Sequence, residues 1–377
     1  MNVRVAGVGL TKFGRREESS SELARDAAAR AMEAVGRRPI DLLVVGNMLG
    51  ESLEERASGV PRIASELGLE AAAGVRVEAA SATGAAAFQV GALALESARY
   101  DRVLVVATEK MTGRPTAEVA RSLAGALAPM EVAAGATMPG LAALIAQRYL
   151  ARTGHAPAVL DAVSVHARRA AARNPYAQFS TAVTAAEVAA SRPIALPLRL
   201  LHCAAISDGA AAVVLERGTG GVQVRGLGQG LDHFRLVDRA TLSGFSATRT
   251  AAERAYAMAE IGPRDIDLAE VHDAFAPFAL IDLEDLGLAS AEEAPRYFAE
   301  DEATVPARPA VNPSGGVLGR GHPVGVSGLA EIVEIAQQIS GDAGAHQIAR
   351  PVRRALAQSI GGLASHNFVT VLAAGAG

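Results

Sequence analysis

Short apolar runs alternate along the chain with longer segments in which apolar residues recur at helical spacing. The short runs predict strands and the longer segments predict helices, an order typical of a layered α/β fold. In the first half, strands are predicted at 42–45, 103–107 and 211–216, and helices at 22–35 and 84–98. In the second half, strands are predicted at 269–271, 356–360 and 368–373, and a helix at 328–339.

One part of this pattern occurs twice. The sequence AMEAVGRRPIDL at 31–42 returns as AMAEIGPRDIDL at 257–268, and VRVAG at 3–7 has a partner in VQVRG at 222–226. Each long copy predicts a helix, a glycine that ends it, and a strand that begins at the isoleucine. A chance likeness of two alanine-rich helices is the alternative, but the shared glycine and the shared IDL lie outside the helix. We therefore predict two copies of one β/α unit.

The first copy carries a long segment that the second lacks. Residues 112–199 are rich in alanine and arginine, mainly helical by pattern, and interrupted by several prolines. We expect an N-terminal half at 1–217 that contains this insertion, and a C-terminal half at 221–377. An insertion of this size on a repeated scaffold is typical of a binding element.

The composition excludes several classes of protein. Half of the residues are hydrophobic, which excludes a disordered chain, and a net charge of −4 with 4% aromatic residues disfavours a nucleic-acid binder. The single cysteine cannot form an internal disulfide or a CxxC zinc site, and no metal site is predicted. The sequence shows neither a signal peptide nor an apolar membrane span, so a cytoplasmic protein is expected.

The first candidate for chemistry is the sequence VEAASATGA at 77–85. A strand ends here and a Gly/Ala-rich helix begins, which places Ser81 in a tight turn at the helix N-terminus. Backbone N–H groups and the helix dipole stabilise an anion at such a position, whether alkoxide or carbonyl oxyanion. An ordinary N-cap serine is the alternative, and on this feature alone it is the simpler interpretation.

The second half offers a matching turn. In NPSGGVLGRGHPVGVSG at 312–328, His322 stands three residues before a glycine and opens a helix, as Ser81 does in the first half. A histidine held in a glycine-rich turn can act as a general base or an oxyanion donor. A phosphate-cradling loop is the alternative, but the chain has neither GK[ST] nor a strict GxGxxG followed by an acidic residue, so a dinucleotide site is poorly supported.

Two further segments end strands near the same predicted cleft. His272, in EVHDAFA at 270–276, is placed to position a water or polarise a carbonyl, although a surface histidine beside a structural aspartate is the plain alternative. QSIGGL at 358–363 ends in two glycines, where the backbone can approach a ligand closely and donate N–H groups. Both segments are therefore candidate parts of one site.

These four segments, in this order, resemble the thiolase superfamily, and most closely its sterol-carrier-protein-x-type and archaeal-type thiolases. GHPxGxSG with HDAF at this spacing is a specific combination, and the likeness extends to NPYA at 174–177 and to HC at 202–203 with SDGAA at 207–211. The resemblance implies two duplicated βαβαβαββ halves in a five-layered α-β-α-β-α core, with a loop-domain insertion that covers coenzyme A. It also implies a homodimer or a tetramer of dimers.

The resemblance implies roles for individual residues. His322 would be the base or the oxyanion-hole histidine, and His272 would hold an ordered water or the thioester oxygen. The backbone N–H groups of Ser81 and Gly361 would form a second oxyanion hole. These four residues are the predicted catalytic site.

Coenzyme A and its acyl esters would be substrates, with no bound cofactor. Arginines of the insertion, among them Arg168, Arg169 and Arg173, are candidates for contacts with the nucleotide phosphates. A solvated basic helix face is the alternative for each of them.

Ser81 departs from the family pattern. The usual nucleophile is the cysteine of ExxCxSG, and with Glu78 and Gly84 as anchors that position is Ser81, while the usual second cysteine is Ser359. The single cysteine, Cys203, is expected in the core. A serine needs a base to remove its proton and yields an oxygen ester with a poorer leaving group than a thioester has. Because Ser359 departs too, natural divergence is favoured over an engineered Cys-to-Ser replacement.

Three functions are therefore open. We expect a thiolase-like acyl-CoA acyltransferase of the Claisen condensation or thiolysis type, altered by the serine. The alternatives are a non-covalent, aldolase-like C–C enzyme and a non-catalytic CoA-ester-binding subunit of a complex with a zinc-ribbon OB-fold partner. Neither a nucleic acid nor a membrane is expected as a partner.

Overall fold

The computed structural model describes residues 1–36, 38–54, 59–300 and 309–375. Its strands are β1 (Val3–Leu10), β2 (Leu42–Gly46), β3 (Ala73–Val77), β4 (Arg102–Glu109), β5 (Pro193–Ala195), β6 (Leu198–Arg199), β7 (Gly209–Arg217), β8 (Val222–Leu231), β9 (Leu268–Glu270), β10 (Ala310–Val311), β11 (Arg354–Gly361) and β12 (His366–Ala374). Its helices are α1 (Ser20–Glu33), α2 (Gly50–Leu53), α3 (Gly59–Leu67), α4 (Thr83–Glu96), α5 (Thr116–Ala124), α6 (Pro129–Ala133), α7 (Met138–Thr153), α8 (Ala158–Ala171), α9 (Ala185–Ala190), α10 (Ser246–Ala259), α11 (Ala276–Asp285), α12 (Arg296–Ala299), α13 (Gly316–Arg320) and α14 (Ser327–Ser340). Each strand and helix predicted from the sequence is present, with ends within two residues of the prediction.

The sheet has the same topology twice. The first five of its strands run β3-β2-β4-β7-β1 from one edge, and the other five run β10-β9-β11-β12-β8 from the opposite edge. In each set the outer three strands are parallel and the inner two pair antiparallel. The sets meet through antiparallel pairing of β1 with β8 at only two residue pairs, Arg4 with Gln223 and Val5 with Val222. Two equivalent β/α units therefore lie side by side.

Helices cover both faces of the two sets of strands. Helices α1 and α3 pack on the outer face of the first set, and α10 packs on β8 and β12 of the second, next to α11. Helices α4 and α14 pack on each other between the sets, in a buried apolar cluster that includes Phe88 and Leu329. This is the α-β-α-β-α layering of the predicted fold class, which is thereby confirmed.

Glycines in the strands let the helix and strand backbones come close together in both units. A Cβ atom on Gly7 or Gly9 of β1 would overlap carbonyl oxygens of α1, and a Cβ on any of Gly226, Gly228 or Gly230 of β8 would overlap carbonyl oxygens of α10. Only glycine fits such an approach. We call these residues the glycine stripes of β1 and β8.

The insertion lies between β4 and β7 and contains helices α5 to α9 and the small hairpin β5–β6. Helix α8 packs on α13, and α7 packs on α11, so the insertion sits over the second set of strands. The corresponding connection in the second unit, between β11 and β12, is only a short turn. No helix in the described part of the chain is both long and apolar enough to span a membrane.

Candidate active site

The turn that carries Ser81 follows β3 and leads into α4. Ala80 adopts a left-handed backbone with φ of 50°, and the Thr83 hydroxyl accepts from Ala79 N–H at 2.9 Å and donates to the Ala80 carbonyl at 2.6 Å. Ala82, not Ser81, is the N-cap residue, and the Ser81 hydroxyl forms no hydrogen bond within the described residues. The simple capping interpretation of Ser81 is therefore wrong, and its side chain is free for a ligand.

Two glycines let the Ser81 turn approach the opposite helix. A Cβ on Gly84 would lie 2.6 Å from the backbone nitrogen of Leu329, and a Cβ on Gly328 would lie 2.9 Å from that of Ala85. Helices α4 and α14 therefore cross in backbone contact at their first turns. This crossing brings the two helix-opening turns of the duplicated units to one place.

The turn that carries His322 is hydrogen-bonded on both sides. The His322 backbone N–H donates to Ser207 Oγ at 3.0 Å, and Nδ1 of its ring lies 2.8 Å from Ser327 Oγ. Ser327 in turn donates to the Pro323 carbonyl at 3.3 Å, which uses its only proton. We therefore assign Nδ1 of His322 as the donor to Ser327, which leaves Nε2 as an acceptor that can take a proton.

His272 lies against His322 just beyond the end of β9. The two rings meet edge to face with centroids 5.1 Å apart and an interplanar angle of 76°. The His272 backbone N–H donates to Gln358 Oε1 at 3.0 Å, and its ring Nδ1 lies 3.4 Å from Glu331 Oε1. Nε2, on the opposite side of the ring, is the atom available to the cavity that His272 lines.

Both histidines are neutral near pH 7. Burial, assisted by the Arg320 cation, lowers the pKa of His322 to about 3. Burial also lowers the pKa of His272 well below its usual value, with smaller contributions from His322 and Arg320. Two neutral imidazoles therefore face one space, and neutral imidazole can act as a base or as a hydrogen-bond donor.

That space is a cavity of about 280 Å³. Its polar lining consists of Ser81, His272 and His322 together with Thr116 and Thr137 of the insertion. Its apolar walls come from the end of β4, from α5 and α7 of the insertion, and from α11 with the residues before it; they include Met111, Val119, Leu123, Met138, Phe275 and Phe278. A cavity with a few convergent polar groups and mostly apolar walls is typical of a small-molecule site.

Gly361 lies behind the Ser81 turn, where a Cβ on it would be 2.6 Å from the Ala79 carbonyl. Its neighbours Ile360 and Gly362 line the main cavity, whereas Gly361 borders a second cavity of about 440 Å³ on the far side of the turn. Ser359, at the place of the family's second cysteine, is buried beside Gly328 and lines neither cavity.

The candidate arginines of the insertion do not line the main cavity. Arg168 on α8 stacks on Phe179, with its guanidinium carbon 3.9 Å from the ring centroid, while Arg169 and Arg173 are exposed. Their contact with a nucleotide stays a prediction. Cys203, expected in the core, does pack on it but is half-buried and lines the cavity; burial raises the pKa of its thiol to about 12.

Sequence reasoning missed the groups that hold the histidines. Glu331, Gln358 and Ser327 are each almost fully buried and contact His272 or His322. The available signal was a glutamate in the mainly apolar sequence of the predicted helix at 328–339. Among the described residues, no three side chains of the metal-binding kinds come together as a possible ion site.

Two family profiles match this chain, "Thiolase, N-terminal domain" over residues 3–194 and "Thiolase C-terminal domain-like" over residues 228–374. The chain therefore belongs to the thiolase family.

Individual relatives agree with this assignment. The chain is 37% identical over 355 residues to an acetyl-CoA acetyltransferase of Methanocaldococcus jannaschii, covering 90% of each chain. It is 32% identical over 375 residues to benzoylsuccinyl-CoA thiolase subunit BbsB of Thauera aromatica, covering 96% of this chain and 94% of the relative. The solved structure of an Ltp2-ChsH2(DUF35) aldolase has the same fold, with a TM-score of 0.83 at 24% identity over 99% of this chain and 98% of the other.

Proposed function

We propose that this protein is a thiolase-type acyl-CoA acyltransferase, which makes or cleaves a carbon–carbon bond next to a thioester. The observation that carries the proposal is the convergence of Ser81, His272 and His322 in one mostly apolar cavity. The acetyl-CoA acetyltransferase relatives support a coenzyme A ester as the substrate.

The geometry supports distinct roles for the three side chains. Nε2 of His322 would take the proton of the Ser81 hydroxyl as Oγ bonds to the acyl carbon and the bond from that carbon to its leaving group breaks. That leaving group is the CoA thiolate in condensation, or the carbanion of the second CoA ester in thiolysis, and it receives the proton from His322. Nε2 of His272 faces the cavity and would stabilise the oxyanion that forms at the acyl carbon.

A second candidate is an aldolase-like reaction without an acyl-enzyme. It is favoured by one observation: the Ser81 hydroxyl has no hydrogen-bonded base among the described residues, so no neighbouring side chain already activates it as a nucleophile. In this reaction a neutral His322 would remove the hydroxyl proton of a β-hydroxyacyl-CoA as its carbon–carbon bond breaks. The products would be a carbonyl compound and an acyl-CoA enolate, and the enolate would take that proton from His322 at its α-carbon. The aldolase named in the structural comparison makes this candidate compatible with the fold.

The two candidates predict different outcomes at position 81. We would measure acetoacetyl-CoA thiolysis and β-hydroxyacyl-CoA cleavage for Ser81→Ala and Ser81→Cys, in a Cys203→Ala background so that the introduced thiol is the only one. Acyl transfer requires that Ser81→Ala lose thiolysis and that Ser81→Cys gain it and be alkylated by iodoacetamide. The aldolase-like reaction requires that Ser81→Ala keep cleavage of the β-hydroxyacyl ester.

A third candidate is a CoA-ester-binding subunit that acts with a zinc-ribbon OB-fold partner. The names of two similar proteins support a multi-component assembly, since one is called a subunit and the other is a two-part aldolase. Binding of acetyl-CoA by calorimetry without turnover by any of the Ser81 proteins would favour this candidate over both enzymes. No binding at millimolar acetyl-CoA would refute all three.

We also propose a homodimer, or a tetramer of dimers. Within the described residues, strand β3 is one edge of the sheet and β10 is the other, and the first three residues of β3 are exposed. Such an edge can pair with the same edge of a second copy. Light scattering that finds a stable monomer at micromolar concentration would contradict this. The single cysteine supports a reducing, cytoplasmic location.

A further inference from the structure

A buried carboxyl group lies directly behind His272. Glu331 on α14 is 1% exposed, and within the described residues neither of its carboxyl oxygens has a hydrogen-bond partner. Nδ1 of His272 is also buried and also without a partner. The two orphaned groups face each other, with Nδ1 and Oε1 3.4 Å apart. Buried polar atoms are rarely left unpaired, so Nδ1 of His272 and the Glu331 carboxyl are the expected hydrogen-bond partners of each other.

The charges around Glu331 decide which atom carries the proton. The groups that act on it electrostatically are the Arg320 cation and the carboxyls of Glu270, Asp273 and Asp282. Arg320 lies 3.8 Å from Glu270 Oε2 and also contacts Ser314 Oγ at 3.3 Å. One cation therefore stands among four carboxyls in a dry interior, where like charges cannot all ionise.

Burial raises the pKa of Glu331 well above its usual value; the Arg320 cation opposes this rise only in part, and the three acidic neighbours raise the pKa further. Glu331 is therefore a carboxylic acid near neutral pH, with one proton to donate. His272 is neutral as well, so Nδ1 can accept that proton in a hydrogen bond, and the ring proton then stands on Nε2.

We propose that Glu331 is a positioning residue whose carboxylic acid donates a hydrogen bond to Nδ1 of His272 and thereby keeps a proton on Nε2, pointing into the cavity. The inference rests on the proposed function for its chemical purpose: Nε2–H of His272 donates to the developing oxyanion of the acyl substrate. Glu331 itself does not line the cavity.

This arrangement gives the two histidines opposite tautomers. Ser327 accepts from Nδ1 of His322, which leaves Nε2 of that ring free to take a proton. Glu331 donates to Nδ1 of His272, which leaves Nε2 of that ring as a donor. The residue behind each ring therefore sets its tautomer. His322 can act as the base and His272 as the oxyanion donor, although the two rings are in contact.

Three variants separate positioning from mere packing. Glu331→Gln keeps a donor, because its amide can donate to Nδ1, and Glu331→Leu removes the donor at similar volume. Glu334→Gln is the matched control: Glu334 is also buried on α14, but it pairs with His346, at 3.0 Å. We expect Glu331→Gln and Glu334→Gln to keep kcat within about threefold, and Glu331→Leu to lose about 10- to 100-fold in kcat with little change in KM.

The tautomer is measured independently of turnover. In protein labelled with ¹⁵N-histidine, with the His272 signals assigned through His272→Gln, we expect the proton on Nε2 in the wild type and in Glu331→Gln. Glu331→Leu should lose this preference. The pH–rate profile of Glu331→Gln should match that of the wild type below the raised pKa of Glu331, and only the wild type should lose rate above it, because a carboxylate no longer donates to Nδ1.

A proton on Nδ1 of His272 in the wild type would overturn the inference, and so would a Glu331→Leu variant as active as the wild type. Failure of the proposed function would give a different experimental result. If no CoA ester is bound or turned over while His272 carries its proton on Nε2, the function is wrong and the positioning role stands.

Discussion

The two helix-opening turns occupy the same place in equivalent units, but their surroundings differ. The Ser81 turn is held by the Thr83 hydroxyl and by the Glu78 carboxylate, which accepts from Ala80 N–H at 2.6 Å, and the buried residues of α4 behind it carry no charge. The His322 turn is held by Ser207 and Ser327, and buried Arg320 and Glu331 lie behind it. The two turns therefore have equivalent positions in the fold, but only the His322 turn has buried charged side chains next to it.

The difference teaches how the duplicated scaffold divides its tasks. The second unit supplies both histidines and the buried charges that set their protonation, whereas the first supplies a hydroxyl and the insertion that walls the cavity. Chemistry that depends on protons is therefore concentrated in one unit. Three predictions test this division, beginning with the largest effect.

His322→Ala should have the largest effect, because it removes the base on the better supported turn. We expect kcat/KM for a CoA ester to fall by at least about 10³-fold. Ser327→Ala is the control, since it removes only the acceptor of the Nδ1 proton, and we expect a loss of about tenfold. A His322→Ala variant within tenfold of the wild type would show that proton chemistry lies elsewhere.

Glycine-to-alanine changes in the two stripes should be costly and nearly equal, because the scaffold is the same in both units. A methyl group on Gly9 would overlap Ala27, and one on Gly228 would overlap Ala251. We expect each change to lower the free energy of unfolding by about 3 kcal/mol, measured by chemical denaturation. Gly262→Ala is the control, since its nearest contact would be 3.9 Å away. Losses that differ by more than about 1.5 kcal/mol would break the equivalence.

The part of the pH dependence of stability that comes from a buried histidine of the site should come from the second unit. Because the pKa of His322 is about 3 when folded and about 6.5 when unfolded, the unfolded chain binds the proton first as pH falls. Its contribution to stability is complete above pH 6.5 and is lost as pH drops towards 3. We expect His322→Gln to reduce the loss between pH 6.5 and 4.5 by about 2 kcal/mol, while Ser81→Ala keeps the wild-type slope. Equal slopes in all three proteins would contradict the assignment of a neutral His322.

Much of the fold follows from local pattern. The central strands are continuous apolar runs because they are buried on both faces, and the capping box of Ser19 and Glu22 marks the start of α1. The sequence did not predict the bounds of the edge strands β3 and β10, because β3 is mostly exposed and β10 has only two residues. Such strands carry too little hydrophobic signal to be delimited.

The residues of the site also include some that local sequence pattern predicted and some that it did not. Ser81, His272 and His322 were found because each stands where a strand ends or a helix begins, a relation that is local in sequence. Glu331 was missed because its partner lies far along the chain, and no period reveals which residue a buried helix presents to a distant loop. Arg168 is a different case. The sequence shows that it lies on a basic helix face, but it does not show which group that face binds.

The glycine stripe of β8 also fixes the register of the sheet. Strand β8 alternates its glycines with Arg225, Leu227 and Gln229, whose side chains point away from α10. A slip of one residue would bring these side chains beneath the helix, where even a methyl group does not fit. A slip of two residues toward the C-terminus would bring Val224 there. Helix α10 therefore packs on only one alignment of β8, and an insertion or deletion within the strand would disrupt this packing.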